Sequence, residues 1–181
     1  APVSILAGLT ARLGSRVRYA QGPGRESAAY TAVSTGRVAL TAEFFSNPDL
    51  EGAPTATRRD SAVDVRWSFA PPAPGLGTDW YSVRWSGTLT TGHAAVTRLG
   101  VDGTDGWRLW LDGRLLIDAW DKRSAGARLA DVALTPGSTH ALRLELHETT
   151  GNAQFRLVWD TGAEPAAMAR LDSAVALAGR S

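Results

Sequence analysis

Apolar and polar positions alternate through the middle of the chain. Val38, Leu40, Ala42 and Phe44 share one face of an extended segment, as do Val63, Val65, Trp67 and Phe69. Period-two spacing turns one face toward a core and the other toward solvent. Tyr81, Val83 and Trp85 make a third set, and Trp107, Leu109 and Leu111 a fourth. Asp112-Gly113 then predicts a two-residue hairpin turn, with Leu115, Ile117 and Ala119 on the returning strand. Leu142, Leu144 and Leu146 alternate next, and Phe155, Leu157 and Trp159 last. Pro136-Gly137 and Gly151-Asn152 mark turns. Many short strands between turn signals predict an all-β fold, an antiparallel β-sandwich, over residues 37–160.

The ends follow a different period. Ile5, Leu6, Leu9 and Leu13 recur at helical spacing, and Gly14 gives a helix stop. Residues 16–20 alternate like a short strand, so residues 1–24 read as a flanking helix–strand segment. Residues 25–36 read as a linker. Thr161 and Glu164 have capping-box spacing, Pro165 suits a first turn, and Met168, Leu171 and Val175 make a short apolar stripe. A helix is expected over residues 161–181, with a stripe too narrow to stand alone.

Composition narrows the function classes. With 44% hydrophobic and 20% charged residues, the 181-residue chain can fold around a core without staples. It has no cysteine, which excludes disulfides and thiolate metal sites. The net charge is +1, Lys122 is the only lysine, and the arginines are scattered. No polybasic face results, so neither nucleic acid nor a membrane is expected as a partner. No apolar run is long enough to span a bilayer, and residues 1–13 lack the basic start of a signal peptide.

Several motifs then occur in a recognisable order. They are Leu40-Thr41-Ala42-Glu43-Phe44-Phe45, Asn47-Pro48-Asp49-Leu50-Glu51-Gly52, Val83-Arg84-Trp85-Ser86-Gly87 and the run from Asp105-Gly106-Trp107 to Asp112-Gly113. Leu116-Ile117-Asp118-Ala119-Trp120 and Gly151-Asn152-Ala153 complete the set. In this order and spacing the middle of the chain resembles the protective-antigen (PA-14) domain family over about two-thirds of its length. The ends resemble family 3 glycoside hydrolases, on Gly8-Leu9-Thr10-Ala11-Arg12-Leu13-Gly14, Val17-Arg18-Tyr19-Ala20-Gln21-Gly22 and Ala174-Val175-Ala176-Leu177-Ala178. Together the resemblances imply a PA-14 insertion in a β-glucosidase-like hydrolase. Its partners would be a β-glucoside or oligosaccharide and the catalytic domains of the parent. A retaining glycosidase needs two carboxylates about 5 Å apart, and the nucleophile of that family lies in an upstream barrel that nothing here resembles. The chain is therefore expected to be non-catalytic, with no cofactor, and to shape the aglycone side of the parent's site.

Candidate contacts follow. Trp80 and Trp120 lie near strand ends and suit stacking on sugar rings, whereas Trp67, Trp85, Trp107 and Trp159 alternate as core residues, and Trp110 is assigned a structural role. Asp121, Lys122 and Arg123 form a polar loop beside Trp120; the resemblance implies that such a loop reaches over the hydrolase pocket to contact substrate, the alternative being a solvated turn. The resemblance also implies a calcium-holding loop at residues 101–106, where some PA-14 lectins use adjacent aspartates. Here the pair reads Thr104-Asp105, one anionic ligand fewer, with Asp102 as the other carboxylate. Asp102 and Asp105 are thus the candidate metal ligands. An alternative for the same residues is an Asp/Gly turn capping backbone N–H groups. His93, His140 and His147 show no ligand spacing, and His147-Glu148 at a strand end is expected to make a surface hydrogen bond. Two other functional classes stay open: an independent calcium-assisted lectin, and a structural or protein-interaction domain.

Overall fold

The computed structural model describes residues 30–121 and 125–161, besides Arg12 and Gly14. Its strands are β1 (Thr31–Ala32), β2 (Val38–Phe45), β3 (Ala56–Asp60), β4 (Asp64–Trp67), β5 (Tyr81–Thr90) and β6 (Val96–Gly103). They continue as β7 (Gly106–Leu111), β8 (Arg114–Ala119), β9 (Gly126–Leu134), β10 (Thr139–Glu148) and β11 (Ala153–Asp160). All lie in one unit, Tyr30–Gly162. The expected helix and strand within residues 1–24 fall outside the described residues, as does the helix over 161–181 apart from Thr161.

Among the described residues the strands form two antiparallel sheets, as the alternation predicts. One runs β3-β2-β5-β10-β7-β8 and the other β1-β11-β6-β9, with β4 also paired to β11. Strands β5 and β10 pair from Tyr81↔Glu148 to Thr90↔Thr139. This long register fixes which residues face inward, since a one-residue slip would turn every apolar side chain outward. Leu142, Leu144 and Leu146 then meet Leu89, Val83 and Trp85 of β5 and Trp107, Leu109 and Leu111 of β7 in one buried cluster. Leu99 and Val101 of β6 and Phe155 and Leu157 of β11 close it from the other sheet.

Aromatic rings form the spine of that core. Trp85 stacks on Phe155 at 5.4 Å and on Trp67 at 6.3 Å, while Tyr81 meets Trp67 edge-on at 5.9 Å. Trp107 meets Phe155 edge-on at 6.5 Å. Burying rings of this size contributes on the order of 2–3 kcal/mol each from apolar area. The buried Trp85 Nε1 donates to Asp60 Oδ2 at 2.9 Å. The Asp112-Gly113 turn forms between β7 and β8, with φ of 49° and 78°. Those angles suit the turn that matches strand twist.

Four differences from the sequence expectation stand out. Phe69 lies beyond the end of β4 and is 96% exposed, not in line with Val65 and Trp67. Pro71 and Pro72 follow it, and proline cannot donate to a ladder. Strand β1 falls in the stretch read as a linker, with Thr31 opposite Trp159. Strands β3, β6 and β9 carry too weak an alternation to be anticipated. Glu148 is fully buried, not a surface residue.

Candidate functional site

Three turns meet at one end of the sandwich. The turn from β6 to β7 supplies Asp105 and Gly106, the end of β8 supplies Trp120 and Asp121, and β10 with its following turn supplies His147, Thr149 and Thr150. Together these residues line a pocket of about 200 Å³. The Trp120 indole stacks on the His147 ring, centroids 4.4 Å apart and planes 11° from parallel. His147 Nε2 lies 2.9 Å from the Trp120 carbonyl oxygen, so that nitrogen carries the proton and donates. The Arg108 guanidinium lies 4.2 Å from the Trp120 ring centroid. Asp118 Oδ1 accepts from the Trp120 N–H at 3.1 Å and holds the chain at the end of β8.

Gly106 makes this packing possible. A Cβ there would overlap the His147 ring and the Trp120 carbonyl. Asp105 just before it sits at φ 57°, a conformation that aspartate tolerates better than most residues.

The wall behind Asp105 is acidic and buried. Both Glu148 carboxyl oxygens and Asp105 Oδ2 are buried, and the Glu148 carboxyl adjoins that of Asp105 and the Thr150 backbone. Burial pushes the Glu148 carboxyl up to about 8, helped by the adjoining Asp105 carboxyl and by the Asp79 charge. Burial also pushes the Tyr81 hydroxyl up, with Glu148, Asp105 and Asp79 adding to it. Asp79 Oδ1 accepts from the Gly151 N–H at 2.9 Å, which pins the loop before β5 to the turn that carries Thr150.

The candidates named from sequence therefore fall in different places. Trp120 and Asp121 line the pocket. Trp80 follows Asp79 on the pinned loop, 61% exposed and at φ 60°, outside the pocket wall. Lys122 and Arg123 fall outside the described residues. Asp105 lies beside Glu148, while Asp102 lies on β6 opposite Arg156 and near Tyr30. Thr104 is occupied within the turn: its hydroxyl lies 3.2 Å from the Asn152 carbonyl and accepts from the Gln154 N–H at 2.9 Å. Among the described residues no three His, Asp or Glu side chains converge closely enough to hold a metal ion.

Sequence reasoning missed His147, Thr149, Thr150, Gly106 and Glu148 as neighbours of the site. The signal for Glu148 was present, because the two-residue period of Leu142, Leu144 and Leu146 carries on to it.

The PA14 domain profile matches residues 36–166, which span strands β2 to β11 and all three turns. The chain belongs to the PA14 domain family. Among curated proteins, this PA14 domain is 30% identical over 122 residues to the anti-sigma-I factor RsgI3 of Acetivibrio thermocellus. The match covers 67% of this chain and 19% of that protein, so the chain spans about a fifth of its relative. Among solved structures, the β-glucosidase of Kluyveromyces marxianus superposes with a TM-score of 0.58 at 17% identity, over 86% of this chain and 22% of that one. A PA14 sugar-binding domain from an RTX adhesin superposes with a TM-score of 0.51 at 14% identity, over 67% of this chain and 89% of that one. These last two likenesses concern the fold.

Proposed function

We propose that this PA14 domain is a non-catalytic carbohydrate-associated module that contacts sugar at the pocket between its three end turns. The observation that carries the reading is the pocket's lining: an indole, two carboxylates, an imidazole and two threonines around a space of about 200 Å³. Small sites that bind polyhydroxyl ligands combine an apolar face with a few fixed polar groups. Both faces of the Trp120 ring are covered, by His147 and by Arg108, so the exposed edge of the indole is what it offers to sugar C–H groups. Asp121 and the Thr149 and Thr150 hydroxyls offer hydrogen bonds to ring hydroxyls. Trp80, Lys122 and Arg123 are further sugar contacts in this reading. The RTX-adhesin domain that shares the fold is a sugar-binding one, in line with this reading.

In the intact protein the module would form part of a β-glucosidase-like hydrolase and set which aglycones and chain lengths fit, by added walls rather than bond cleavage. The hydrolase-like motifs at both ends support this, and the curated anti-sigma relative places a similar domain in a different kind of protein. The adjoining, buried carboxyls of Glu148 and Asp105 favour a second reading, in which calcium at this wall assists sugar binding.

Titration of the chain with neutral mono- and oligosaccharides, with calcium and then with chelator, tests both. The first reading expects binding that survives chelator and is lost in Trp120→Ala. Binding lost with chelator supports the second. No binding by the folded chain at millimolar sugar contradicts both.

A further inference from the structure

The outer face of the six-stranded sheet carries an apolar and aromatic strip that leads away from the pocket. Trp110 of β7 stands between Arg143 of β10, whose guanidinium lies 4.8 Å from the indole centroid, and Leu115 of β8, its partner in register. Leu115 is 44% exposed on the edge strand β8 and adds an apolar surface beside Trp110. Arg108, two residues back along β7, shares this face, pairs with Asp118 at 3.3 Å and packs on Trp120. Trp120 in turn lines the pocket. Leu115, Trp110, Arg108 and Trp120 thus form one continuous strip. Trp110 lies four positions along β7 from Gly106 at the pocket edge, or about 13 Å at the rise of a strand.

Charge around the strip is matched internally. Arg84, Arg108 and Arg143 all pair with Glu145, which is buried beneath them, while Glu43 and Asp118 take up further arginine contacts. Around the strip three guanidinium groups meet three carboxylates, so the strip itself offers no excess charge to a polyanion or a polycation. An uncharged ligand with many hydroxyls and flat C–H faces suits such a surface. Its rings pack on the Trp110 indole and the Leu115 side chain, and its hydroxyls meet ion pairs that already satisfy one another.

We infer that this strip holds an extended neutral glycan whose end occupies the pocket, so that the domain recognises a chain rather than a single sugar. The inference rests on the pocket reading above and names the ligand class for it.

The test is calorimetric titration of the full chain with neutral oligosaccharides graded from one to six units in the gluco, xylo and manno series. Oligogalacturonides of matched length serve as the anionic comparison. Affinity in one neutral series is expected to rise about tenfold or more between one and four units. Trp110→Ala and Leu115→Ser are expected to abolish that rise and leave monosaccharide affinity unchanged. Trp120→Ala is expected to weaken both. Leu115→Ser alters a side chain that is nearly half exposed on an edge strand, so it reports on the strip even if Trp110→Ala unfolds the domain. Monosaccharide binding with no gain for longer chains overturns the strip and leaves the pocket standing. A gain that survives both strip variants, or a preference for the oligogalacturonides, overturns the assignment. No binding in any series overturns the strip and the pocket together.

Discussion

The rings of Trp120 and His147 lie face to face, 4.4 Å between centroids, and His147 Nε2 also donates to the Trp120 carbonyl 2.9 Å away. Trp120 is thereby fixed at two points, through its ring and through its own backbone. The missing Cβ of Gly106 leaves the space for both contacts. Gly106→Ala is therefore expected to displace the pair, at a stability cost of about 1–3 kcal/mol for overpacking. The loss should appear in the denaturant midpoint, together with weaker sugar binding in a variant that still folds.

Trp80 combines 61% exposure with φ 60°, a conformation that strains a bulky residue. Trp80→Gly relieves the strain and adds unfolded-state entropy, so stability should stay within about 1 kcal/mol of the parent chain. If Trp80 contacts sugar, affinity falls while the melting temperature holds. Unchanged affinity in this variant would remove Trp80 from the site.

Glu148 is a buried carboxyl set against the Asp105 carboxyl, and burial raises it to about 8. Glu148→Gln keeps the shape and removes the charge, so the domain should melt at a higher temperature than the parent chain at pH 8 in the presence of chelator. Under the calcium-assisted reading, added calcium stabilises the parent chain and not this variant.

Asp112 anchors the opposite end of the sandwich. Its Oδ2 lies 2.7 Å from His140 Nδ1, and its Oδ1 accepts from the Ala141 N–H at 2.9 Å. The hydrogen bond to His140 holds its carboxyl below the usual 3.8. The unfolded chain thus takes up this proton first as acid is added. The Asp112 contribution is complete above the unfolded value and is lost as pH falls through the folded one. Urea midpoints at pH 5 and pH 3 should therefore drop less for Asp112→Asn than for the parent chain. Asparagine tolerates the positive φ of this turn, so the variant keeps its backbone.

Core strands were legible in the sequence because each buries one full face. The alternation of Leu142, Leu144 and Leu146 has no competing reading once Leu89 and Trp107 flank it in the folded sheets. Strand β3 was not legible, since it is an edge strand whose Thr57, Arg58 and Arg59 are all exposed. In β6 the register shifts between Val96 and Arg98, so Val96, Leu99 and Val101 lose their even spacing. The pocket was half legible. Trp120 and Asp121 announce themselves as an aromatic beside a carboxylate at a strand end. His147, Thr149 and Gly106 reach them only through pairings between β7 and β10, which local spacing does not encode.

The most direct test of the account is a sugar titration followed by amide chemical shifts in the isotope-labelled chain. Neutral gluco-oligosaccharides should move the signals of Asp105, Gly106, Trp120, Asp121, His147, Thr149 and Thr150 and leave those around the Asp112-Gly113 turn unmoved. Shifts confined to other parts of the sandwich, or none at millimolar sugar, would contradict the claim that this end of the PA14 domain recognises carbohydrate.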